Sequence, residues 1–89
     1  MNEPYLEITF RHGRPLAAYL YLPRKGIEKS VRTEQVAPGL LVDFTAGGQP
    51  MGLEITAPGK VSANAINRVL ADLGLPPLPD TDFSPLKAA

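Results

Sequence analysis

The side chains most able to do chemistry in this sequence are two carboxylates and one imidazole. Asp43 lies in Leu40-Leu41-Val42-Asp43-Phe44-Thr45 and Glu54 in Met51-Gly52-Leu53-Glu54-Ile55-Thr56, with Ala46-Gly47-Gly48-Gln49 between the two runs. If the runs pair as strands, the two carboxylates share one face within reach of each other. Such a pair can bind a cation or divide the roles of acid and base. It is also an ordinary feature of a solvated sheet face. His12 is the single histidine, a residue type that serves as a general base, yet Arg11-His12-Gly13-Arg14-Pro15 is the setting of a solvated turn. The chain has no cysteine, so it has no thiolate nucleophile, no disulfide and no sulfur-ligated metal site. These residues predict no catalytic constellation, no metal site and no cofactor. The alternative is a small-ligand or cation site, or a minor enzyme, using Asp43, Glu54 and His12 at a subunit interface.

The balance of charge narrows the partners. Nine basic residues cancel nine acidic ones in 89 residues, so the chain lacks the net positive field with which nucleic-acid binders capture phosphates. Nucleic acid is not expected. Arg11, Arg14, Arg24, Lys25, Lys29 and Arg32 make the first third locally basic, either to meet an acidic partner or as scattered solvated charge. Met1-Asn2-Glu3-Pro4 has an acidic residue and a proline where an export signal carries positive charge and an apolar run. The longest mainly apolar stretch, Leu16 to Leu22, is far too short to span a bilayer. The reading is a cytoplasmic protein with no membrane partner.

The elements that would position these residues follow from alternation and turn chemistry. Tyr5-Leu6-Glu7-Ile8-Thr9-Phe10 reads as strand one and Leu16 to Leu22 as strand two, with turn chemistry at His12-Gly13-Arg14-Pro15 between them. Strand two carries apolar or aromatic residues on both faces, which predicts a central or doubly covered position. Tyr19 and Tyr21 point one way and Leu20 and Leu22 the other. After a charged turn at Pro23-Arg24-Lys25-Gly26, Ser30 to Val36 reads as a half-exposed third strand, and Pro38-Gly39 suits a type II turn. The turn at Gly47-Gly48 then predicts a hairpin pairing Phe44 with Met51, Val42 with Leu53 and Leu40 with Ile55. These glycines are not a phosphate cradle, because strands flank them on both sides.

Past Pro58-Gly59-Lys60, Ser62 stands as an N-cap before a helix with Ile66, Val69, Leu70 and Leu73 on one stripe and Gly74 as its stop. Asn64, Asn67, Arg68, Ala71 and Asp72 cover its other side. The fold class predicted is therefore α+β: a small antiparallel β-meander of about five strands, one C-terminal amphipathic helix, and a Pro-rich tail. Residues 1–74 form the domain and 75–89 the tail, whose leucines and Phe83 are numerous enough to lie across the domain or on a partner.

Ala18-Tyr19-Leu20-Tyr21-Leu22, then Val31, Thr33 and Val36, then Gly39-Leu40-Leu41-Val42-Asp43-Phe44, then Met51-Gly52-Leu53-Glu54-Ile55 resemble, in order and spacing, a small bacterial family catalogued as domain of unknown function number two-two-eight-three. The resemblance covers roughly residues 16 to 56. It implies a compact β-meander that associates with copies of itself, without an established activity, some relatives acting beside small toxin-like proteins. It names no catalytic residue. The segment before strand two is usually acidic in that family and is Arg11-His12-Gly13-Arg14-Pro15 here, which puts any cation site of the acidic form in doubt.

The functional expectation is a non-enzymatic interaction or regulatory module, antitoxin-like, that forms a homodimer or higher oligomer and binds a small partner protein. Tyr19 and Tyr21 are the interface candidates, since rigid amphipathic rings suit a contact surface; packing beneath the helix would explain them as well.

Overall fold

The computed structural model describes residues 3–23 and 29–87. Five strands, β1 (Tyr5–Arg11), β2 (Arg14–Tyr21), β3 (Arg32–Ala37), β4 (Leu40–Phe44) and β5 (Pro50–Ile55), form one antiparallel sheet. A 3-10 turn (Pro58–Lys60), helix α1 (Ala63–Asp72), the single turn of α2 (Asp80–Phe83) and a second 3-10 turn (Ser84–Lys87) follow. The class is α+β and the sheet is meander-like, with strand order β1-β2-β5-β4-β3. Strands β3, β4 and β5 are a true meander. The β1–β2 hairpin joins it through β2 and β5, so β2, β5 and β4 are interior and β1 and β3 are the edges. No helix among the described residues is long and apolar enough to cross a membrane.

Local chemistry sets the turns. The turn is shorter than the four residues expected: His12 (φ 53°) and Gly13 (φ 77°) form a two-residue loop between the paired Arg11 and Arg14, so that Arg14 and Pro15 already belong to β2, and positive φ at both positions matches the twist of the flanking strands. Gly39 has φ 74° behind Pro38, as the turn between β3 and β4 requires. The charged turn read at Pro23-Arg24-Lys25-Gly26 lies, from Arg24 onward, outside the described residues.

The β4–β5 hairpin has the register read from the sequence along most of its length: Val42 faces Leu53, Leu40 faces Ile55, Asp43 faces Gly52 and Leu41 faces Glu54. Its end differs. Phe44 faces Pro50 instead of Met51, across a bulge. Pro50 has no N–H for the ladder, so the loop closes one step further out, where the Thr45 N–H donates to the Gln49 carbonyl at 2.9 Å. Met51 is the extra residue. It remains buried, and its carbonyl accepts from the Leu22 N–H at 3.0 Å.

One sheet face carries the core. Leu20, Leu22, Leu40, Val42, Leu53 and Ile55 form a single cluster with Ile66, Val69 and Leu70 of α1. Helix α1 starts where Ser62 Oγ accepts from the Ala65 N–H at 3.1 Å. It stops at Gly74 (φ 77°), where the Leu75 N–H closes back on the Leu70 carbonyl at 2.8 Å. The Pro-rich segment then runs extended and turns into α2. It lies across the domain, because Phe83 and Leu86 belong to the same core cluster and Leu75 and Leu78 pack against it. Asn67 anchors this path from α1: its Nδ2 donates to the Leu78 carbonyl at 3.0 Å and its Oδ1 accepts from the Leu78 N–H at 2.9 Å.

Candidate functional site

Because successive strand residues alternate between faces, everything out of phase with the core cluster meets on the other side of the sheet. Register places Tyr5, Tyr21, Gly52, Asp43 and Thr33 in one row across all five strands. The next row holds Glu7, Tyr19, Glu54, Leu41 and Gln35. Helix α1, Phe83 and Leu86 all pack on the opposite face. Strand β2 is therefore central, as its two apolar faces predict, yet covered by helix on one face only.

The rings on this open face are ordered against one another. Tyr5 stacks on Tyr21 with centroids 4.5 Å apart, and Tyr19 meets Tyr21 edge-on at 4.7 Å. These are the offset and T-shaped geometries that aromatic quadrupoles favour. Two of the hydroxyls find an acid in the neighbouring row: Tyr21 donates to Glu7 Oε1 at 3.2 Å and Tyr19 to Asp43 Oδ2 at 2.8 Å. Tyr19 reaches Asp43 by crossing directly over Gly52. A side chain at that position would collide with the tyrosine ring. Tyr5 belongs to the cluster although sequence reasoning did not single it out; its signal was the pairing of Tyr5 with Tyr21 that the short His12-Gly13 turn sets, displaced by one bulge.

Asp43 and Glu54 do share this face, on diagonal positions of β4 and β5. Their situations differ. Asp43 is half-buried and both its oxygens accept hydrogen bonds, Oδ2 from Tyr19 and Oδ1 from Thr33 Oγ1. Glu54 is exposed and sits beside Tyr19 in the register. His12 does not join them. It is exposed at the tip of the β1–β2 hairpin, seven residues along β2 from the row that holds Asp43 at the Arg14 end, or roughly 23 Å. Among the described residues no three His, Cys, Asp or Glu side chains gather as metal ligands do.

Chemically the arrangement is a polar-rimmed aromatic surface. The acids orient the tyrosines, and the tyrosine rings present flat, rigid area with little conformational entropy to lose on contact. The chain matches no protein-family model, no curated protein and no solved structure.

Proposed function

We propose that the chain is a non-enzymatic interaction module that works as a homo-oligomer, most simply a two-fold dimer, in a regulatory role beside a small partner protein. The observation that carries this reading is the one-sided core. Helix α1 and the segment from Leu75 both spend their apolar residues on the same face of the sheet, so Tyr5, Tyr19, Tyr21 and Leu41 stand on a face that no helix among the described residues covers. A surface of ordered tyrosines rimmed by Glu7, Asp43 and Glu54 has the composition of a contact surface, aromatic at its centre and acidic at its margin. Asp43 supports the same reading, because a carboxylate whose two oxygens already hold Tyr19 and Thr33 is organising a surface.

The test is the mass in solution. Light scattering should give a multiple of the 9.6 kDa chain mass, and Tyr19→Ala with Tyr21→Ala should shift the equilibrium toward the single chain. A mass of one chain at all accessible concentrations would end the reading.

A further inference from the structure

The two edges of the sheet are built differently. Strand β3 breaks its ladder at a bulge between Gln35 and Ala37 and carries Arg32 and Glu34 in an exposed ion pair at 3.3 Å, features that discourage pairing with another strand. Strand β1 has no proline and no lysine between Tyr5 and Arg11, and where its ladder shifts register between Thr9 and Phe10 the extra residue, Leu16, lies on β2 and leaves β1 continuous, whereas the extra residue of the other edge, Val36, lies on β3 itself. It also projects. The ladder between β2 and β5 ends at Ala18 and Ile55, so Thr9–Arg11 and Arg14–Ala17 continue as a two-stranded arm beyond the five-stranded body. Two strands alone are marginal in water. This arm leaves Phe10 half exposed at 50% and Leu16 at 51%, and it sets Arg11 directly opposite Arg14, a repulsive cross-strand pair.

We propose that β1 pairs antiparallel with β1 of a second copy about a two-fold axis at Thr9, joining the two sheets edge to edge. The inference rests on the self-association proposed above and names a contact for it on the sheet edge, at the β1 margin of the tyrosine face, where Glu7 also accepts from Tyr21. The register follows from the residues. With Thr9 opposite Thr9, Glu7 of each copy faces Arg11 of the other, and Ile8 faces Phe10. Glu7, Thr9 and Arg11 share one face of the strand and Ile8 and Phe10 the other, so every pair matches in kind. Glu7 and Arg11 cannot satisfy each other within one strand, where four residues hold them roughly 13 Å apart. Across the axis they meet twice. The second Glu7 also offsets the repulsion between Arg11 and Arg14, the second Phe10 covers Ile8, and the marginal arm becomes the middle of a wider sheet. A shift of one residue in either direction would lose the charge pairing and set the two copies' apolar residues on opposite faces.

The absence of cysteine makes the register directly testable. In this pairing Thr9→Cys places two thiols on the axis with Cβ atoms roughly 4.5–5.5 Å apart, close enough for a disulfide after a small adjustment. Mild oxidation should link Thr9→Cys chains rapidly, while Val31→Cys, more exposed at 64% but far from the axis, should stay unlinked. Arg11→Glu should weaken self-association about tenfold or more, since two attractive pairs become repulsive. It should not lower the melting temperature of the single chain, because it gives Arg14 an opposite charge to face. Adding Glu7→Arg should then restore association. If scattering shows an oligomer that Arg11→Glu leaves intact and Thr9→Cys fails to link, the edge pairing is wrong while self-association stands. A wild-type chain that is monomeric throughout removes both.

Discussion

The ring of Tyr19 occupies the space that a side chain at Gly52, its diagonal neighbour on β5, would fill, and carries its hydroxyl across β5 to Asp43 at 2.8 Å. One glycine thus links the central strand β2 to β4 through a strand that separates them. The missing side chain is what allows the tyrosine to lie down, and the tyrosine covers backbone that glycine would leave open to water.

Gly52→Ala tests this relationship. The added methyl group would overlap the Tyr19 ring, so the ring must swing away and give up Asp43. The expected cost is about 1–3 kcal/mol by urea unfolding, typical of overpacking with a lost hydrogen bond. In a Tyr19→Ala background most of that penalty should vanish, and a double-mutant cycle that shows no such coupling would contradict the contact.

Val42 of β4 is fully buried in the core cluster opposite Leu53 of β5. Val42→Asp would bury an unpaired carboxylate at a cost of several kcal/mol, comparable to the whole stability of a domain this small. The purified variant is expected to lack a cooperative thermal transition by circular dichroism. A melting temperature within a few degrees of the parent would refute the β4–β5 register.

Phe83 and Leu86 sit at 4% and 1% exposure beneath the sheet. Phe83→Ala should destabilise the domain by about 3–5 kcal/mol. Asn67→Ala, which releases both hydrogen bonds to Leu78, should cost about 1–3 kcal/mol and expose the segment after Leu75 to limited proteolysis. Unchanged urea midpoints in both variants would mean that the segment is a dispensable appendage.

Much of the fold was legible because it depends on short-range rules. Alternation put Leu40, Val42, Leu53 and Ile55 on one face and Asp43 and Glu54 on the other, and no partner beyond the hairpin was needed to say so. His12-Gly13, Pro38-Gly39, Ser62 and Gly74 marked their turns and helix ends through backbone constraints that each residue carries with it. The bulge at Phe44 was less visible, because the proline's missing N–H matters only once a ladder has formed to omit it.

What depended on distant contacts was decided only by the tertiary structure. Joining β2 to β5 set the strand order, and that choice alone brought Tyr19 over Gly52 and beside Asp43, because neither pairing propensity nor alternation says which strand neighbours which. The same step stranded His12 at the tip of a projecting arm, far from the carboxylates with which it might have shared a site. Asn67 had the look of a solvent-facing helix residue and instead holds Leu78, since its amide finds a backbone partner only when the chain after Leu75 folds back. The fate of Phe83 and Leu86 turned on the same return: an aperiodic, Pro-rich stretch carries no pattern from which burial can be read, and its apolar residues went to the one face of the sheet where α1 had left room.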